Sequence, residues 1–299
     1  MARASAFLGD PQRKELVLSG AKAPAAPGDI WWPVNFDKEA ISSFCDSNGL
    51  APAFFHFLRA LVGPSGEAEV SQSLVDAISV LPLRADTQAV FKGWLLWIWD
   101  GREGESLKSV LAGSDAYGPA CDLVRLHQLG EGTASRQQWR QARSALVSTV
   151  SAGPEQASAA NIVAAMGWDF TTTPGAAADL VHTCFSETST RVREAFGWTD
   201  VDGDRVQSAI VRLHTLAGAE LGNPPADRSD REAMTRYMEA FNAIVAREET
   251  EAEAQAMARM RELGAVGSES TRKLKTKLLD GLFLQVRAAP LVKGEPVYT

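Results

Sequence analysis

The sequence predicts an all-α fold: a multi-helix bundle core with extended N- and C-terminal arms and a long C-terminal helix. Three observations carry that reading. Apolar residues recur at three- and four-residue spacing through most of the chain, the signature of helices with one buried face. Gly, Pro and Ser/Asp pairs punctuate the chain at short intervals. No stretch shows the period-two alternation of a half-buried strand, and no internal repeat is evident. With 299 residues, 45% hydrophobic and 22% charged, the chain is long enough to bury a core without disulfides or metals.

Residues 1–36 read as an N-terminal arm, because Ala, Pro and Gly crowd the stretch Gly20 to Gly28. Trp31 and Trp32 follow it, and two adjacent tryptophans on an arm must either cap this chain's core or dock into another chain. Helical pattern starts at Asp37, with Ile41, Phe44 and Cys45 on one face. Pro52 suits a first helical turn ahead of Phe54, Phe55, Phe57, Leu58 and Leu61. A further helix ends at Pro82. The next begins at Asp86 and is apolar nearly all round, from Val90 to Ile98, which marks it as central.

Helices are then expected at about 104–112, 116–129, 135–150, 155–168, 175–186, 188–197 and 204–219. Gly222-Asn223-Pro224-Pro225 is the clearest boundary, giving a core at 37–222 and a C-terminal helical region at 223–287. In that region Ser229 and Glu232 fit a capping box ahead of a helix reaching about Leu263, stopped by Gly264 and Gly267. A last helix turns Leu274, Leu278, Leu282 and Phe283 inward, and 288–299 reads as a C-terminal arm.

The chemistry-bearing residues mostly have structural readings. Cys45, Cys121 and Cys184 are far apart and fit buried thiols of a reducing compartment. His182 and Cys184 fall on different faces of a helix, and Cys184 with His214 is the least implausible nucleophile pair. Asp200-Val201-Asp202-Gly203-Asp204 opens like a calcium loop, but its glycine is fourth and its twelfth position is Val211, so it reads as a helix N-cap. No nucleotide-loop, zinc-protease or hydrolase-elbow motif is present, so no catalytic residue, metal ligand or cofactor is assigned and no small-molecule substrate is identified. Trp94, Trp97 and Trp99 read as core. Arg136, Arg140 and Arg143 recur turn after turn on one helix and read either as a solvated face or as a phosphate-contacting ridge.

A net charge of −7 gives no global pull toward nucleic acid or anionic lipid, although a local basic groove is compatible with it. Gly93 to Trp99, the most apolar run, is far shorter than the roughly 20 residues that span a bilayer. The first ten residues lack the apolar region of a secretory signal. No membrane partner is expected, and the chain is expected to stay in the compartment where it is made, the cytoplasm.

Met166-Gly167-Trp168-Asp169-Phe170, followed by Pro174-Gly175-Ala176-Ala177, is similar to the Phe-Asp-Phe-like segment of the coat proteins of flexuous filamentous plant viruses. Ser135-Arg136-Gln137 upstream, Trp94 to Gly101 before it, and Arg193 to Gly197 with Asp202-Gly203 downstream extend the resemblance over about 85–205. Trp168 stands where that family has its first Phe, and 227–287 has no assigned counterpart. The resemblance implies a non-enzymatic structural subunit, a coat or nucleocapsid-like protein whose arms dock onto neighbouring copies around single-stranded RNA, placed in a virion. It also implies that Asp169 pairs with an upstream arginine, for which Arg136, Arg140 and Arg143 are candidates, these three otherwise contacting phosphate. The alternative is a compact helical protein-binding module, such as a bacterial immunity or adaptor protein. An enzyme with a site dispersed over the fold is the third class.

Overall fold

A computed structural model describes residues 5–22, 38–62, 68–101, 106–129, 132–149, 153–227 and 229–292. After a short 3-10 turn at Ala6–Gly9 come α1 (Pro11–Lys22), α2 (Lys38–Asn48), α3 (Pro52–Val62), α4 (Ala68–Val80) and α5 (Thr87–Asp100). They are followed by α6 (Leu107–Leu111), α7 (Tyr117–Gln128), α8 (Arg136–Val147), α9 (Pro154–Ala165) and α10 (Ala176–Ala195). The last are α11 (Asp200–Leu221), α12 (Arg231–Glu248) and α13 (Glu251–Arg287). Among the described residues there is no strand beyond two isolated bridges, and no helix is long and apolar enough to cross a membrane. The expected all-α class holds.

The chain divides into two compact units, one of Met1–Thr188 with Arg272–Thr299 and one of Ser189–Thr271. The first unit contains one continuous core. Phe54, Phe55 and Phe57 of α3 are buried with Phe91, Trp94 and Leu95 of α5, and Phe57 lies 4.1 Å from Trp94 between ring centroids. Such aromatic pairs add to the apolar area they remove from water. The buried indole of Trp94 is satisfied: its Nε1–H donates to the Leu278 carbonyl at 3.1 Å. The C-terminal turns of α13 approach α5 closely, because a methyl group on Gly281 would fall 2.3 Å from the Trp97 ring. Leu278 and Leu282 are buried as the spacing predicts.

Four expectations are corrected. The described part of the N-terminal arm, 5–22, is the 3-10 turn and α1, with Phe7, Val17 and Leu18 buried in the core. The Ala/Pro/Gly stretch that starts at Gly20 overlaps the end of α1; 23–37, with Trp31 and Trp32, lies outside the described residues. Lys14 Nζ fastens α1 by donating to the Ser79 and Leu81 carbonyls, at 2.7 and 2.8 Å, where α4 ends. Second, the boundary placed at 222/223 is a turn inside the second unit, between α11 and α12. Third, the two helices expected at 175–186 and 188–197 are one, since no Gly or Pro interrupts them. Fourth, the break expected at Gly264 and Gly267 lies at Glu249–Thr250. There Thr250 N donates to the Glu253 carboxylate at 2.9 Å and Glu253 N to Thr250 Oγ1 at 3.3 Å, a capping box that starts α13. Asp230, one residue after the expected Ser229, caps α12.

The C-terminal arm expected at 288–299 is described as far as Val292. It lies along Arg84–Asp86: Asp86 N donates to the Pro290 carbonyl and Val292 N to the Arg84 carbonyl, each at 2.8 Å. The other edge of the same tripeptide pairs with Ala6.

The second unit buries Val206, Ala209, Leu213, Ala217 and Ile244. Arg212 Nε donates to Glu253 at 2.7 Å, and Arg247 pairs with Glu220. Arg259 Nη2 donates to the Gly197 carbonyl at 2.7 Å beside the capping box in which Thr199 and Asp202 start α11. The 200–204 acidic run is thus a helix start, as read from the sequence.

Candidate functional site: an arginine-lined groove

Helix α8 begins at a capping box, Ser135 with Gln138. Its helical spacing turns Trp139 and Leu146 inward and sets Arg136, Arg140 and Arg143 on an adjoining face. Opposite them, α9 ends and the chain turns through Met166–Gly175 into α10. Gly167 is what lets this turn close on α8. A methyl group there would meet the Ala164 carbonyl oxygen at 2.9 Å, Leu123 Cδ1 at 3.0 Å and Arg143 Cβ at 3.1 Å. The next residue, Trp168, lays its ring under the Arg143 guanidinium, 3.9 Å from Cζ to the ring centroid, and remains 37% exposed.

Arg136, Arg140, Arg143 and Asp169 thus line one open cavity of about 440 Å³, together with Trp168 and Thr173. The structure brings together all four residues singled out on that stretch. It does not make the arginine–aspartate ion pair that the resemblance implies. Asp169 Oδ1 instead accepts from Thr171 N at 3.0 Å and Thr171 Oγ1 at 2.6 Å, and the Asp169 carbonyl accepts from Thr172 N and Thr173 N. This local turn holds the carboxylate against its own backbone. Among the described residues, no ion pair involves Arg136, Arg140 or Arg143. Arg136 occupies the first position of α8, where the helix dipole disfavours a cation.

A smaller cavity of about 60 Å³ adjoins the groove, sharing Trp139 and Asp169 and closed by Phe91, His127 and Phe170. His127, on the last turn of α7, stacks on Phe170 at 5.5 Å and tilts against Trp139 at 4.7 Å. Its Nε2 lies 2.7 Å from the Met166 carbonyl oxygen. A carbonyl only accepts, so Nε2 carries the proton. Burial pushes the His127 pKa from 6.5 down to about 4, against the opposing pull of that hydrogen bond, so the ring is neutral near pH 7.

The sequence reading missed His127 and Gly167. Nothing local marks either, since the His127 partner lies 39 positions away. The other histidine and cysteine candidates have packing roles: Cys184 is buried in the first unit's core, and His214 packs on Phe241 in the second. Among the described residues, no group of three or more His, Cys, Asp or Glu side chains is placed to hold a metal ion.

The groove offers three guanidinium groups that make no ion pair, one carboxylate, Asp169, turned to Thr171, an exposed indole and threonine hydroxyls. That set suits a ligand carrying both phosphates and flat rings. Comparison of the chain with protein-family models, with curated proteins and with solved structures finds no match.

Proposed function

We propose that this protein is a non-enzymatic structural subunit, coat or nucleocapsid-like, that packages single-stranded RNA in the groove and self-assembles through its arms. The observation that carries the reading is the convergence of Arg136, Arg140 and Arg143, unpaired, on one cavity of a chain whose net charge is −7. A cation at the positive end of a helix dipole opposes helix stability, so Arg136 is better accounted for by an anionic ligand than by folding. The Arg143–Trp168 stack adds a platform for an unpaired base. The assembly half of the reading rests on Trp31, Trp32 and the Ala/Pro/Gly stretch before them. A virion or cytoplasmic location follows from it.

The test is light scattering with the 260/280 nm absorbance ratio on protein purified at mild salt, followed by titration with single-stranded RNA at several salt concentrations. Large particles carrying nucleic acid are expected. Each arginine that neutralises one phosphate contributes about −0.7 to the slope of log K against log salt. Replacing all three by Gln is therefore expected to flatten the slope by about 2. A monomer free of nucleic acid whose RNA affinity ignores these arginines overturns the reading and favours the protein-binding alternative.

A further inference from the structure

We propose that His127 is the positioning residue of the groove: its Nε2–H holds the Met166 carbonyl and thereby fixes the turn that presents Trp168 and Asp169. For the ligand bound, this inference rests on the RNA reading; for the geometry of the turn, it does not.

Three contacts converge on the imidazole. Its Nε2 donates to the carbonyl one residue before Gly167, at 2.7 Å. One ring face stacks on Phe170, at the far end of the same short segment. Trp139 of α8 packs against the ring at 4.7 Å between centroids. His127 therefore grips both ends of Met166–Phe170, with Trp168 between them. The segment needs such a grip. Met166 is buried, and its carbonyl also accepts from Trp168 N at 2.8 Å across a tight turn. Without the imidazole, nothing from α7 holds that oxygen, and the turn that seats the indole beneath Arg143 loses its outside anchor. The ring does not itself face the cations: the Arg136, Arg140 and Arg143 cavity is lined without it. It acts through the turn.

Two substitutions separate the hydrogen bond from the stacking. His127→Phe keeps a flat ring against Phe170 and removes the donor. His127→Gln removes the ring and keeps an amide donor that reaches the Nε2 position. Amide hydrogen exchange over 167–173 and binding of a uridine oligomer are measured on the full chain for both. With His127→Phe, exchange in 167–173 is expected to rise while α3 and α5 stay protected, and affinity to fall about tenfold. With His127→Gln, both are expected to return to within about threefold of the starting protein. Unchanged protection in His127→Phe overturns the proposal, as does a His127→Gln protein that behaves like His127→Phe. If the starting protein ignores the oligomer but the exchange pattern follows expectation, His127 positions the turn and the RNA reading alone falls.

Discussion

In the first unit, one continuous core runs from Phe7 through the α3 and α5 aromatics to Val286; in the second, only five apolar side chains are buried among the described residues. The second unit adds guanidinium–carboxylate contacts where its helices meet: Arg212 with Glu253, Arg247 with Glu220, Arg259 with Asp202. Residues 189–271 contain 10 Arg and no Lys against 15 Asp and Glu, so most of the chain's net charge of −7 belongs to this stretch. Arginine therefore sits differently in the two places. In the second unit Arg212, Arg247 and Arg259 reach acids of neighbouring helices. On α8, Arg136, Arg140 and Arg143 face a cavity whose one carboxylate, Asp169, is held by Thr171 and pairs with none of them. The contrast separates arginine that joins helices from arginine left open in a groove.

The largest effect is expected from the aromatic core. Trp94→Ala leaves a cavity and removes the indole hydrogen bond to the Leu278 carbonyl; it is expected to cost about 3–5 kcal/mol in denaturant unfolding. A loss below about 1 kcal/mol would mean that the core is not what holds the first unit. Next comes acid. His127 has a folded pKa of about 4 and an ordinary value of 6.5, so its contribution is complete above pH 6.5. As pH falls from 6.5 toward 4, the unfolded chain takes up a proton that the folded one refuses, and the first unit is expected to lose about 3 kcal/mol. Lys92 and Asp169 face the same ring and bias it in opposite directions. His127→Gln is expected to flatten this slope; an unchanged slope assigns it to another group.

A smaller loss, about 1–3 kcal/mol, is expected for Gly167→Ala, because the added methyl group has no room between α8 and Ala164. If the groove takes RNA as proposed, the same substitution is expected to weaken that binding by shifting Trp168, whereas Gly175→Ala, where a methyl group meets nothing, is not. The smallest effect is expected in the second unit. Hydrogen bonds from Arg212 and Thr250 hold the Glu253 carboxyl at about 2, below its ordinary 4.5. Its contribution is present above pH 4.5 and lost as pH falls through about 2. Glu253→Gln is expected to raise amide exchange near 250–253 at neutral pH and to leave the groove untouched. A change in the groove would break the contrast between the units.

Helices with a regular apolar face were legible in the sequence because burial imposes that spacing; α3, α5 and the last turns of α13 are the clearest. The start of α13 was not, because Thr250 and Glu253 form their capping box inside a run of acids, Glu248 to Glu253, that no Gly or Pro interrupts. Gly264 and Gly267 read as stops, yet a glycine within a helix costs only about 1 kcal/mol and both stay helical. At the site, the three arginines were legible from their spacing alone. The state of Asp169 was not. A partner two residues away, Thr171, captured it ahead of a guanidinium from another helix. His127 left no local signal, since its meaning depends on a turn that packing creates.

The first unit is discontinuous in sequence, and this has a consequence for synthesis on the ribosome. The indole of Trp94 finds its acceptor 184 positions further along the chain. When α5 leaves the exit tunnel, the apolar surface that Leu278, Leu282 and Val286 will cover stays bare until the second unit and the rest of α13 have been made. Contacts of such separation close slowly, and exposed core invites premature association. The nascent chain thus carries the side of α5 that meets Leu278, Gly281 and Gln285 uncovered until the last turns of α13 have been made.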